Sequence, residues 1–164
     1  MKTTDTLTTL FQHNHWANLA IVAACRDLSE AQLNSTINGT FGSIYETLHH
    51  MATSEQSYFS RISTGQPKRY PDDAPRLTLA QIHESLQTTG AGFVEWATKV
   101  PAADLLNIDW DGEPRKVPKS IIMTQVINHA TEHRAQIMAI LTQLGITPPE
   151  LDSWSYFDYI YRSA

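Results

Sequence analysis

Apolar side chains at Leu7, Leu10, Phe11, Ala17, Ile21 and Leu28 recur at helical spacing, which predicts a first helix between Thr4 and Leu28 with Thr4 or Asp5 as its cap. The segment SEAQL, Ser29 to Leu33, reads as a short capped turn, and the small polar residues of NSTINGT mark a connection. A second stripe runs through Ile44, Leu48, Met51, Tyr58 and Ile62. It stops near STGQPKRYPDDAPR, whose prolines and glycine support no regular helix. Thr78 caps a third segment carrying Leu79, Ile82, Leu86, Phe93, Trp96 and Val100, which ends before Pro101; Gly90 and Gly92 weaken its helical propensity locally. Alternation between Leu105 and Pro118 around Asp111-Gly112 predicts a small β-hairpin or extended loop. Pro118 suits the first turn of a fourth helix, Lys119 to Leu144, which Gly145 stops. The aromatic tail LDSWSYFDYIYRSA folds back as a short helix or coil. Four helices of this length predict an all-α, four-helix bundle, with one longer crossover allowed by the unequal loops.

Length and composition narrow the classes. A chain of 164 residues, 41% hydrophobic and 18% charged, fits one folded domain spanning 1–164 and neither a disordered tail nor a rod. Its net charge of -5 with only 12 Lys+Arg supplies no basic patch, so no nucleic-acid partner is expected. The lone Cys25 forms no intramolecular disulfide, and MKTTDTLTTL lacks the charged and apolar regions of a secretory signal, which points to the cytoplasm. No apolar run approaches the roughly 20 residues that span a bilayer, so no membrane partner is expected.

The chemistry concentrates in NHATEHRAQIMAIL, where His129 and His133 continue the line of Ile122, Val126, Ile140 and Leu144 and face inward. Residues four apart lie roughly 5 to 6 Å from each other between Cβ atoms, so both rings can reach one small cation. A pair alone is more often packed core histidines than ligands, and it is not the zinc-protease signature, because Ala130 follows the first histidine where that motif has glutamate. A third ligand must come from another helix. LHHMATSE offers His49, His50 and Glu55 there. Periodicity does not choose between His49 and His50, which flank the apolar stripe; His50 shares its side with Ser43, Thr47, Ser54 and Ser57, a row that fits either a cavity lining or a solvated face. Glu55 falls on the apolar stripe, where a carboxylate needs a partner, and is a candidate direct ligand, partner of a ligand or catalytic base. His13, His15 and His83 read as structural or surface residues, His13 and Asn14 also as pocket wall, and Arg134 and Gln136 as residues that orient ligands or bind a substrate carboxylate or, equally, make surface or interhelical contacts.

Taken together, HWAN, SIYETLHHMATSE, NHATEHRAQIMAILTQLGITPP and LDSWSYFDYI resemble, in order and over most of the chain, the DinB-like (DinB/YfiT) family of metal-dependent enzymes. The resemblance implies a four-helix bundle of up-down-down-up topology, a homodimer, and a divalent metal held by His50, His129 and His133. His50 matches by standing two after Leu48 and five before an acidic residue. His13 stands where the family often has an aromatic residue.

Three neutral imidazoles leave coordination positions open, as catalytic rather than structural sites do. Such a site suits zinc or nickel first, with iron or copper next. It can activate water or a thiol, which makes hydrolysis or thiol S-transfer on a small-molecule substrate, including a low-molecular-weight thiol, the expected activity. The competing expectation is a dimeric ligand-binding module without catalysis, its histidines packed or merely stabilised by metal.

Overall fold

The computed structural model describes residues 5–71, 73–101, 103–110 and 112–162. Thr4, Asp111 and the last two residues of the tail, invoked above, lie outside them. Among the described residues the chain is mostly helical, with helices α1 (Thr6–Ala24), α2 (Glu30–Leu33), α3 (Ile44–Thr64), α4 (Leu79–Trp96), α5 (Lys119–Gln143) and α6 (Ser153–Arg162). A single antiparallel pair, β1 (Leu105–Trp110) and β2 (Glu113–Pro118), stands between α4 and α5.

Local chemistry fixes the helix starts. Asp5 accepts the Thr8 N–H at the head of α1, while Ser29, Ser43 and Thr78 each form a reciprocal capping box with Gln32, Glu46 and Gln81. SEAQL is therefore a one-turn helix. Pro118 ends β2 and stands at the cap of α5, one residue before the first turn in which the sequence placed it. α1 stops at Ala24, short of Leu28, and α4 stops at Trp96, leaving Val100 in the following turn. In the hairpin Leu105 pairs with Pro118 and Trp110 with Glu113, and Gly112 takes a φ of 86° at the turn.

α1 packs on α4 and α5, and α3 packs on the same two helices, which closes a ring of four. Inside the ring the apolar side chains form two clusters. One gathers Ile21 of α1 and Cys25 at its C-terminal cap, Leu48 and Met51 of α3, Ile82 and Leu86 of α4, and Ile137 and Leu141 of α5. The other gathers Phe11, Ile62, Phe93, Ile122 and Val126 with Leu106 and Ile108 of β1. Phe11 and Phe93 stack there with ring centres 5.4 Å apart. Between the clusters lies a layer of buried polar side chains: Asn14, Asn18, Glu55, Thr89 and Arg134.

Leu7 and Leu10 depart from the expected stripe, being 39% and 44% exposed; they border a shallow apolar hollow with Val100 and Ile127. The glycines of α4 also have a purpose that propensity hides. A Cβ on Gly90 would overlap the His15 ring, and one on Gly92 would come within 2.5 Å of the Phe59 ring, so both glycines let neighbouring helices approach. Among the described residues no helix is long and apolar enough to cross a membrane.

Replacing Gly90 by alanine sets a helix-propensity gain of about 1 kcal/mol against an overlap that costs typically 1–3 kcal/mol, roughly, in a packed interior. Urea denaturation is expected to find Gly90→Ala less stable than the parent and, in a His15→Ala background, more stable. The same sign in both backgrounds would contradict the packing described.

Candidate metal centre

The three histidines meet at the α3–α5 contact. His50 projects from α3 toward α5, where His129 and His133 stand one turn apart on the same face. His50 Nε2 lies 3.0 Å from His129 Nε2, which lies 3.2 Å from His133 Nε2. All three candidate donor atoms fall within 4.8 Å of one another. Two imidazole nitrogens bound to one zinc-like ion at 90–110° would sit roughly 2.9 to 3.4 Å apart, given metal–nitrogen bonds of about 2.0–2.1 Å. The donor set therefore fits a divalent cation. His49 takes no part in it: its ring tilts over Tyr45, at 6.2 Å, and lines the cleft that opens beside His50.

Hydrogen bonding sets the tautomer of one ring. The Phe41 backbone N–H donates to Gln136 Oε1 at 3.1 Å, and a backbone N–H can only donate, so that Gln136 atom is the amide oxygen. The same oxygen lies 3.0 Å from His133 Nδ1, which must then carry the proton and leave Nε2 as a bare lone pair facing the other two rings. Burial, followed by the other two histidines, lowers the His129 pKa to about 4; burial first, then His133 and His49, lowers that of His50. Both rings are thus neutral near pH 7, the state in which imidazole binds metals.

Aromatic rings roof and flank the cluster. Phe41, itself 54% exposed, stacks on His50 at 4.2 Å and meets His133 edge-on at 5.2 Å. Tyr58 meets His129 edge-on at 5.7 Å. Beside His50 opens a cleft of about 420 Å³ walled by Phe41, Glu46, His49, Thr53 and Arg76. Cys25 offers no nucleophile, since burial pushes its thiol up to about 12.

Glu55 sits in the polar layer, and its carboxylate is not in hydrogen-bond contact with any of the three histidines. Oε2 accepts from Asn18 Nδ2 at 2.8 Å and Oε1 from the Thr89 hydroxyl at 2.6 Å. Asn18 Oδ1 in turn accepts from Arg134 Nη1 at 2.5 Å, and the same guanidinium nitrogen donates to Asn14 Oδ1 at 2.7 Å. A hydrogen-bonded chain thereby links α5, α1, α3 and α4, with a buried cation at one end and a carboxyl group near the other. Arg134, left open above between surface and interhelical roles, is interhelical and 4% exposed. Gln136 orients a ring of the cluster. Asn18, Thr89, Phe41 and Tyr58 escaped the sequence reading as parts of this region. Of the row beside His50, Ser43 and Thr47 are buried and Ser54 and Ser57 half-buried. His13 Nε2 donates a 2.8 Å hydrogen bond to the Leu151 carbonyl, and the ring touches Tyr156, tying down the tail. His15 fills the notch at Gly90 and reaches Gln87 at 3.3 Å.

Comparison with known proteins follows the same line. The DinB family model matches residues 1–161. The fold is similar to the crystal structure of a DinB-like protein from Bacillus cereus ATCC 10987, with a TM-score of 0.61 and 19% sequence identity, covering 85% of this chain and 91% of that one. A search of curated proteins finds no match.

Burial raises the Glu55 pKa from 4.5 to about 7, against the opposing pull of Thr89, Arg134 and Asn18. A raised folded-state value makes its contribution fully present below the unfolded value of 4.5 and lost as pH climbs through about 7. A shift of this size corresponds to roughly 3 kcal/mol. Relative to Glu55→Gln, which cannot ionise, the parent should lose stability steadily between those two pH values and level off above. A pH-independent difference between the two proteins would contradict the placement of Glu55.

Proposed function

The chain belongs to the DinB family, and we propose that it is a metal-dependent enzyme that activates water or a thiol on a small-molecule substrate. The observation that carries this reading is the convergence of three imidazole Nε2 atoms at 3.0 and 3.2 Å, with the His133 lone pair turned inward by Gln136. His50, His129 and His133 would hold the cation, zinc or nickel by preference for nitrogen donors. A divalent ion on neutral ligands supplies Lewis acidity, which makes the conjugate base of water or of a thiol available near neutral pH. The chain's own residues do the rest. Phe41 covers one side of the cluster and limits water, Gln136 fixes the ring of His133, and the cleft at His50 admits substrate. Glu55 then acts as a positioning residue, holding Arg134 and with it the turn of α5 that bears His133. Hydrolysis and thiol S-transfer both fit this arrangement.

The architecture proposed with it is a single four-helix-bundle domain running up-down-down-up. Its support is the content of the two apolar clusters: Phe11 and Ile122, early in α1 and α5, share one with Ile62 and Phe93, late in α3 and α4. We further propose a homodimer in the cytoplasm. Exposed Trp154 (81%), Phe157 and Tyr161 on α6, together with Leu7 and Leu10, are apolar surface of the kind that association covers.

Elemental analysis should find one equivalent of divalent metal in the parent and none in His129→Ala. Gln136→Ala, which removes the partner of His133 Nδ1, should bind zinc about 10- to 100-fold more weakly. Full metal content in His129→Ala would defeat the reading. Sedimentation should find a dimer at micromolar concentration, and a monomer there would remove the oligomeric part alone.

A further inference from the structure

On the side of His129 away from the Arg76 cleft, a second pocket of about 340 Å³ opens between α3, α5 and the hairpin. Tyr58, which touches His129, forms its inner end, and Gln125, one helical turn before His129, lies beside it. The wall is aliphatic: Ile108 of β1, Val117 of β2 and Ile122 of α5, with Ile121 at the rim, 57% exposed. Among the described residues Arg61 is its only cationic lining residue, and it forms no ion pair with them. Asp109, the one lining carboxylate among the described residues, is engaged by the Gly112 N–H at 2.7 Å in the hairpin turn.

We propose that this pocket binds the non-reacting part of the substrate, an aliphatic chain ending in a carboxylate that pairs with Arg61. The inference rests on the metalloenzyme reading for its link to catalysis. An aliphatic wall with a single uncommitted guanidinium selects an amphipathic acid, because the chain gains from burial while a planar carboxylate matches the donor fork of arginine. The Arg76 cleft is a weaker host for such a molecule, since no aliphatic side chain lines it and Glu46 stands beside the cation. Arg61 lies three turns along α3 from His50, roughly 16 Å by helical rise, and the Cα–Cβ bonds of a helix tilt toward its N-terminus, here the end nearer the cluster. The carboxylate and the reacting group would then be on the order of 10 Å apart. The hairpin acquires a purpose in this arrangement: its inward residues select substrate shape.

The probe is hexanoate, titrated into the full-length chain after chelator treatment so that no cation competes for the carboxylate, with isoleucine methyl shifts read by NMR. Saturable shifts are expected at Ile108, Ile121 and Ile122. Hexanamide and the Arg61→Gln variant should each lower the affinity about tenfold, and Arg61→Lys should restore part of it. Unchanged hexanoate affinity in Arg61→Gln, shifts centred on Phe41 and Arg76, or no saturable shifts at these methyls would each overturn the proposal. Metal content measured on the same preparation before the chelator is added keeps the two readings apart: hexanoate binding without metal binding would spare the subsite and sink the enzyme, and the converse would spare the centre alone.

Discussion

A buried guanidinium whose hydrogen-bond chain reaches three other helices organises this protein. Arg134 on α5 meets Asn14 and Asn18 of α1; Asn18 passes the link to Glu55 of α3, which Thr89 of α4 completes. A charge removed from water costs several kcal/mol, roughly, unless it is paired and hydrogen-bonded. Sliding any of the four helices by one turn would break a member of this chain and leave a buried polar group unsatisfied, a penalty of about 1–3 kcal/mol each. The two apolar clusters on either side supply burial energy but tolerate small shifts, since aliphatic contacts are not directional. Register comes from the polar layer.

That register bears directly on the histidines. Arg134 follows His133 in the chain, and Glu55 stands five residues beyond His50, so the layer that locks α5 against α3 also fixes how the three rings meet. Desolvation keeps His50 and His129 neutral, and Gln136 commits the His133 proton to Nδ1. Three ring nitrogens then face a common centre. Neutral nitrogen atoms held 3.0 and 3.2 Å apart can share at most a few protons, and one cation satisfies all of them at once.

Much of this was legible before any coordinates. Helical periodicity located the four long helices within a few residues, because each buries a stripe against its neighbours and begins at a side-chain cap. The inward placement of His129 and His133 followed from the same line. What periodicity could not supply was the third ring: His49 and His50 flank the stripe of α3 symmetrically, and only the position of α5 separates them. Phe41 was invisible because it lies in a glycine-rich connection with no repeating pattern, held by a hydrogen bond to a residue 95 positions away. Asn14, Asn18 and Thr89 did leave a signal, a polar residue on an otherwise apolar line through Phe11 and Ile21 or through Leu86 and Phe93. The same signal was recognised at Glu55, where it was attributed to the metal; its bonds lead instead to Asn18 and Thr89. Stripe analysis also overreached at Leu7 and Leu10, which extend beyond the point where four helices enclose a core.

The central claim is that three imidazoles share one ion. X-ray absorption at the metal edge of the zinc-loaded, full-length protein tests it most directly, because imidazole rings give a distinctive outer-shell scattering pattern that can be counted. The account predicts three imidazole nitrogens at about 2.0–2.1 Å, with any remaining ligands oxygen or sulfur from outside the chain. A spectrum with no more than one imidazole, or with carboxylate oxygens in place of nitrogens, would contradict it.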